Sequence, residues 1–250
     1  MINKGKKCEC LNIRIMGFKS NYKELANTQK NASGTPAYTL FVNRGLGRVL
    51  ASYLVTQNAS PNTITLVSFA MTISAFLSVF WVENVVFLHS LIIVILLILA
   101  FGLDSADGQM ARLLKIQSAK GEWLDHTLDA IKIPMGHGVA MFIIMKHNDV
   151  NSKWLIFYLA VICLHGSLLL GGLLYGKLIA KKEIQAQPHI NSSILVRSIL
   201  TLPLDYGTFI LFFLLSFSPP NFFMIYTVWG AVFLPYGILA LIKLFRAFKS

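Results

Sequence analysis

The chain is poor in charge, and in acid above all. Of its 250 residues 13% are charged, and 11 Asp and Glu stand against 22 Lys and Arg. Soluble domains carry about a quarter charged residues, so an ordinary water-facing surface is excluded. Cysteine is scarce as well: Cys8, Cys10 and Cys163 are all there is. A Cys-x-Cys pair without a second pair at ligand spacing supports neither a disulfide framework nor a zinc site, which leaves three free thiols in a reducing compartment. Nor does an apolar run follow Lys7 closely enough to read as a cleavable leader.

Apolar residues are plentiful, at 55% of the chain with a mean hydropathy of +0.63. Six stretches are long enough to cross about 30 Å of hydrocarbon. They are predicted at residues 62–82, 85–107, 121–146, 153–176, 197–218 and 221–243. A spanning segment must satisfy its backbone hydrogen bonds internally, so the expected fold is an all-α integral membrane protein with six transmembrane helices. Residues 37–56 place Leu40, Phe41, Leu46, Val49, Leu50 and Tyr53 in a helical stripe flanked by Arg44 and Arg48. That pattern predicts an N-terminal amphipathic juxtamembrane helix on the membrane surface. Ser60 and Pro61 then mark a helix start. Residues 1–35, rich in Lys, Asn and Ser, read as a flexible basic arm, and residues 36–250 as one membrane domain.

With residue 1 on the cytoplasmic side, the cytoplasmic segments hold nineteen of the twenty-two Lys and Arg, and only Lys146 and Lys153 fall on the far side. This obeys the positive-inside rule and puts both termini in the cytoplasm. The basic excess is thereby explained by an anionic membrane surface, and a nucleic-acid partner is not expected.

Five of the eleven acidic residues crowd into one segment: Asp104, Asp107, Glu122, Asp125 and Asp129. Asp104 and Asp107 lie at i and i+3 at the cytoplasmic end of the second predicted span. Asp125 and Asp129 lie at i and i+4, a turn inside the third, so each pair shares one helix face. A short polar connection makes the two helices antiparallel neighbours, and four carboxylates can converge. Each Asp at membrane depth costs ~2.5–3.5 kcal/mol on insertion scales, and mutual repulsion adds to this. The cluster therefore calls for bound cations. Oxygen-only ligands select hard ions, Mg²⁺ or Mn²⁺, and four carboxylates suit two of them, the usual arrangement for displacement at phosphorus. Gly108 and Gly121 remove side chains where phosphates could approach the backbone, and Arg112 could pair with one. Close helix packing by small residues is the competing account of the glycines and of Ala111.

The segment reads Asp104-x2-Asp107-Gly108-x2-Ala111-Arg112-x8-Gly121-x3-Asp125-x3-Asp129, and it resembles the CDP-alcohol phosphotransferase family at every defined position of that family's motif. The resemblance extends over roughly residues 36–245, including Pro61-Asn62-Thr63-Ile64-Thr65. It implies a cytoplasm-facing cavity in which a CDP-alcohol, CDP-diacylglycerol favoured, gives up its substituted phosphate to an acceptor alcohol with release of CMP, in phospholipid synthesis. Asp104, Asp107, Asp125 and Asp129 would hold two Mg²⁺ or Mn²⁺ ions, with Asp129 also the general base. Thr65, Gly108, Ala111, Arg112 and Gly121 would border the nucleotide. The family resemblance further implies membrane-lipid partners and a homodimer.

The acceptor is less constrained. Glu122-Trp123-Leu124-Asp125-His126 differs from the Asp-Pro pair typical of phosphatidylglycerophosphate synthases. Asp125-His126 is similar to choline and ethanolamine phosphotransferases, so a CDP-linked small polar alcohol is the alternative donor. Lys132 and Arg197 could bind an acceptor phosphate, although for Lys132 ion pairing within the acid cluster is favoured. Asp205, Tyr206, His137 and His165 could line the inner cavity wall or form interhelical hydrogen bonds. A UbiA-like prenyltransferase has different Asp spacing, and a transporter would spread carboxylates along a path.

Overall fold

The computed structural model describes residues 17–29, 32, 34–179 and 192–248, and every element among them is helical. The helices are α1 (Phe18–Asn27), α2 (Arg44–Thr56), α3 (Pro61–Leu77), α4 (Phe87–Leu113), α5 (Ala119–His147), α6 (Ser152–Ile179), α7 (Ser192–Leu200), α8 (Tyr206–Leu211) and α9 (Pro219–Arg246). A π-helical turn, Tyr38–Asn43, runs directly into α2. Cys8 and Cys10 lie outside the described residues, and Cys163 is exposed and unpaired.

Among the described residues, five helices are long and apolar enough to cross a membrane: α3 with its 3-10 extension to Trp81, then α4, α5, α6 and α9. The predicted stretch 197–218 is built differently. It breaks after α7 into a 3-10 turn, Leu202–Leu204, and restarts at α8, which continues as a second 3-10 turn, Phe212–Leu215. Pro203 cannot donate to a helical ladder, and the Asp205 carboxylate caps the restart by accepting from Gly207 N at 3.0 Å. The same carboxylate accepts from Thr39 N and Thr39 Oγ1, each at 2.9 Å, and so fastens the break to the π-turn. Tyr38 lies against the break too, its ring filling the space that a side chain on Gly207 would need. Burial, and then the Asp205 carboxylate, push the Tyr38 hydroxyl up to about 12, which keeps it protonated.

The structure changes the reading of the N-terminal arm and gives helix α2 a packing partner. The segment read as part of a flexible arm contains α1, whose Leu25 is fully buried. It packs with Ala51 and Val55 of α2 and Ala106 and Met110 of α4 in a small core. Residues 1–16 lie outside the described residues. Helix α2, expected to lie on the membrane surface, has one face pressed on α4. A Cβ on Gly47 would come within 2.6 Å of Ser105 Oγ, and one on Gly102 within 2.6 Å of Leu46, so small residues permit the contact. Phe41, Val49 and Tyr53 remain exposed on the opposite side.

The main core is aromatic and occupies the half of the bundle away from the acid-bearing helix ends, with Phe76, Ile93, Leu97, Ile144, Phe209, Phe213, Tyr226 and Trp229 in one cluster. Lipid is as apolar as these side chains, so close packing rather than water exclusion holds them. Gly136 shows how tight it is: a Cβ there would meet Phe76 at 2.9 Å and Phe209 at 3.0 Å.

Candidate active site

Helix α4 continues to Leu113, past the expected end at residue 107, so Asp104 and Asp107 project from within a helix rather than from its last turn. Its partner α5 starts at a real cap, since Ser118 Oγ accepts from Gly121 N at 3.1 Å. Helices α4 and α5 are neighbours, as expected, with Lys132 of α5 reaching Asp104 of α4. Helix α3 packs against both, and α4 and α5 meet through their side chains rather than by close approach of their backbones. The acid-bearing ends consequently face each other across a space instead of across a packed seam.

That space is a cavity of about 750 Å³. Its floor is the start of α3, including Asn62 and Thr65, and its walls come from Asp107, Gly108, Ala111 and Arg112 of α4 and Gly121, Glu122, Asp125 and His126 of α5. The 117–118 connection closes one end. Every residue expected to border the nucleotide thus faces one cavity. Gly121 has a definite steric reason, because a Cβ there would be 3.0 Å from Asn62 Oδ1. Gly108 is less crowded, with Arg112 Nη1 at 3.4 Å from such a Cβ.

The four carboxylates converge. Ligand atoms of Asp104, Asp107 and Asp125 lie within 4.8 Å of one another, and those of Asp125, His126 and Asp129 do the same. Thr65 Oγ1 donates to Asp107 Oδ2 and so orients that carboxylate from α3. Lys132 Nζ reaches Asp104 Oδ1 at 2.5 Å and Asp129 Oδ1 at 2.7 Å, on the ion-pairing side of the two roles its position allows. Lys132 thus bridges one carboxylate of α4 and one of α5. A set of oxygen ligands this close, sharing Asp125 between two groups, is the chemistry that hard divalent ions require.

Arg112 is held by the segment read as an arm: its Nε donates to Thr28 O at 3.1 Å, just beyond α1. Gln29 Nε2 donates to Gln109 Oε1 at 2.7 Å on the same side of α4. Sequence reasoning missed both contacts, and no local signal announces them. It gave Asn62 only within the family-like Pro61–Thr65 run and did not single out Ser118, a residue type favoured at helix N-caps.

Other candidates stand apart from this cavity. His137 and His165 are buried with each other at 2.8 Å, and His137 Nδ1 meets Tyr226 OH at 2.7 Å, which is an interhelical hydrogen-bond chain inside the aromatic core. Asp205 serves the break between α7 and α8. The Tyr206 hydroxyl is buried with no hydrogen-bond partner among the described residues. Arg197, on α7, is not among the residues that line the cavity.

The profile of the CDP-alcohol phosphatidyltransferase family matches residues 58–237. The chain belongs to that family. Its matched region starts just before α3, takes in the whole acid cluster and ends within α9. No curated protein matches the chain significantly. Family membership makes the chain a membrane-embedded phosphotransferase of phospholipid synthesis, which moves a substituted phosphate from a CDP-alcohol to an acceptor alcohol. It also brings a divalent-metal requirement, which the clustered carboxylates can meet.

Proposed function

We propose that this enzyme is a phosphatidyltransferase that uses CDP-diacylglycerol as donor, with its cavity open to the cytoplasm. The observation that carries the reading is the single cavity that brings Thr65, Gly108, Ala111, Arg112 and Gly121 together with Asp107 and Asp125. Backbone at the two glycines can come close to a diphosphate, and the guanidinium of Arg112 can pair with it.

Asp104, Asp107, Asp125 and Asp129 would hold two ions, Mg²⁺ or Mn²⁺. When bound, such ions supply charge stabilisation for the entering and leaving oxygens at phosphorus. The protein's own part is positioning and proton transfer. Thr65 fixes Asp107, and Lys132 fixes Asp104 and Asp129. Asp129 takes the proton of the acceptor hydroxyl as its oxygen bonds to the β-phosphorus, and the bond to the bridging oxygen breaks to release CMP. The positive-inside distribution supports a cytoplasmic cavity and termini, and the family supports a homodimer.

A second reading rests on the Asp125-His126 pair, which borders the cavity and is similar to that of choline and ethanolamine phosphotransferases: a CDP-linked aminoalcohol is the donor and a lipid hydroxyl the acceptor. CMP release by the purified protein decides between the two. Metal-dependent release from CDP-diacylglycerol with one of glycerol 3-phosphate, inositol, inositol phosphate or serine supports the first. Release only from CDP-choline or CDP-ethanolamine with diacylglycerol supports the second and overturns the first.

A further inference from the structure

Helix α1 has only 10 residues, too few to be stable in isolation, so its position is set by what it packs against. Leu25 is fully buried among Ala51, Val55, Ala106 and Met110. The Arg48 guanidinium lies 4.3 Å over the Tyr22 ring, and Arg48 Nη2 donates to Tyr22 OH at 2.7 Å. A further tie lies just past the helix, where Gln29 Nε2 donates to Gln109 Oε1 at 2.7 Å and to Leu25 O at 3.0 Å. Gln109 Nε2 in turn donates to Arg44 O at 3.2 Å, so α1, α2 and α4 are joined at one place. Helices α1 and α2 both precede the family-matched residues 58–237.

These ties bring the C-terminal end of α1 to Arg112. The last carbonyls of a helix have no partner within it and carry its negative end, which favours a cation there. Helix α1 has no basic residue in its own last turn, and α4 provides one, because Arg112 Nε donates to Thr28 O at 3.1 Å. The guanidinium is thus divided between two surroundings. Its Nε is held from the α1 side, while Nη1 lies beside Gly108 on the cavity wall, 3.4 Å from where a Cβ would stand. A long side chain that is already fixed loses less rotamer freedom when it meets a ligand.

We infer that α1 is a strap that presets Arg112 for the diphosphate of the CDP-alcohol, with Leu25 and Gln29 as positioning residues that act through that arginine. The inference rests on the reading of Arg112 as a partner of the diphosphate. Thr28 contributes a backbone carbonyl, so what the sequence must provide is the buried Leu25 and the Gln29 tie that place this carbonyl, rather than a particular side chain at 28.

The test is a double-mutant cycle on the full-length enzyme, read as the affinity for CDP by calorimetry with Mg²⁺ present. Arg112→Ala should weaken CDP binding about tenfold or more, the loss of a charge-assisted hydrogen bond. Leu25→Asp, which expels α1 from its seat, should weaken it about fivefold. Leu25→Ala and Gln29→Ala should each weaken it about two- to threefold, and these milder changes keep the cycle readable where the aspartate variant does not fold. None of the three should weaken CDP binding further once Arg112 is Ala, because residues acting through one contact are not additive. In CMP release from CDP-diacylglycerol the α1 variants should raise KM with kcat within about twofold of the parent. Equal losses of CDP affinity in the parent and Arg112→Ala backgrounds would make α1 a packing element only and overturn the inference. CDP affinity unchanged in both Leu25→Ala and Gln29→Ala, with Arg112→Ala still impaired, would remove the strap and keep the nucleotide reading. CDP bound by Arg112→Ala as tightly as by the parent would remove both.

Discussion

The polar cluster around His137 and the acid cluster around Asp104 both lie within membrane-spanning helices, and they differ in almost every respect. His137, His165 and Tyr226 are hydrogen-bonding groups closed inside the aromatic core, and each meets at least one of the others. Asp104, Asp107, Asp125, Asp129 and Lys132 are mostly acidic, leave negative charge in excess and sit beside a large cavity. The first arrangement is self-sufficient, which is what a structural role needs. The second is complete only with added cations, which is what a reaction centre needs. The distinction rests on satisfaction and access.

Substitutions can break this comparison. The largest effect is expected for Asp129→Asn, which removes the proposed base but keeps the side-chain shape. CMP release should fall by at least ~10²-fold, while CDP-alcohol binding stays within a few-fold of the parent. Substantial turnover would remove the base role. Lys132→Met leaves two carboxylates without their shared cation, and breaking a buried pair costs about 3–5 kcal/mol. Thermal unfolding should therefore show a large drop in chelator that divalent ions largely restore. An equal drop in both conditions would argue that Lys132 serves packing alone.

Smaller effects are expected away from the acids. Gly136→Ala forces a methyl against Phe76 and Phe209, and overpacking of this kind costs about 1–3 kcal/mol. Its signature is a lower melting temperature with CMP release retained in the folded fraction. Tyr226→Phe deletes one interhelical hydrogen bond to His137, worth about 0.6–1.7 kcal/mol in membranes, and should leave turnover unchanged. Loss of turnover in that variant would tie the histidine cluster to the reaction and collapse the distinction.

The acid cluster was legible in the sequence because its chemistry demands particular side chains at helical spacings, and those spacings survive in α4 and α5. The family motif made the same residues specific. Helix ends were less legible. Helix α4 runs six residues past its expected end because Gln109, Met110 and Leu113 remain good helical residues with a packed face against α1 and α2. The interruption at Thr201–Asp205 was hidden by its apolar flanks, although Pro203 and a capping Asp205 stood in plain view. Helix α1 could not be found locally: it is short and polar, and what holds it is the nonlocal burial of Leu25 and the Thr28 contact to Arg112. The position of Lys132 allowed two roles, and only the three-dimensional placement of Asp104 beside it favours ion pairing.

The most direct test of the metal-dependent acid centre is a count of Mn²⁺ bound to the purified enzyme by electron paramagnetic resonance in the presence of CMP. The account predicts two ions per chain, magnetically coupled, with at least one lost in Asp107→Asn and both retained in Tyr226→Phe. Absence of tight Mn²⁺ binding, or binding unaffected by Asp107→Asn, would contradict it.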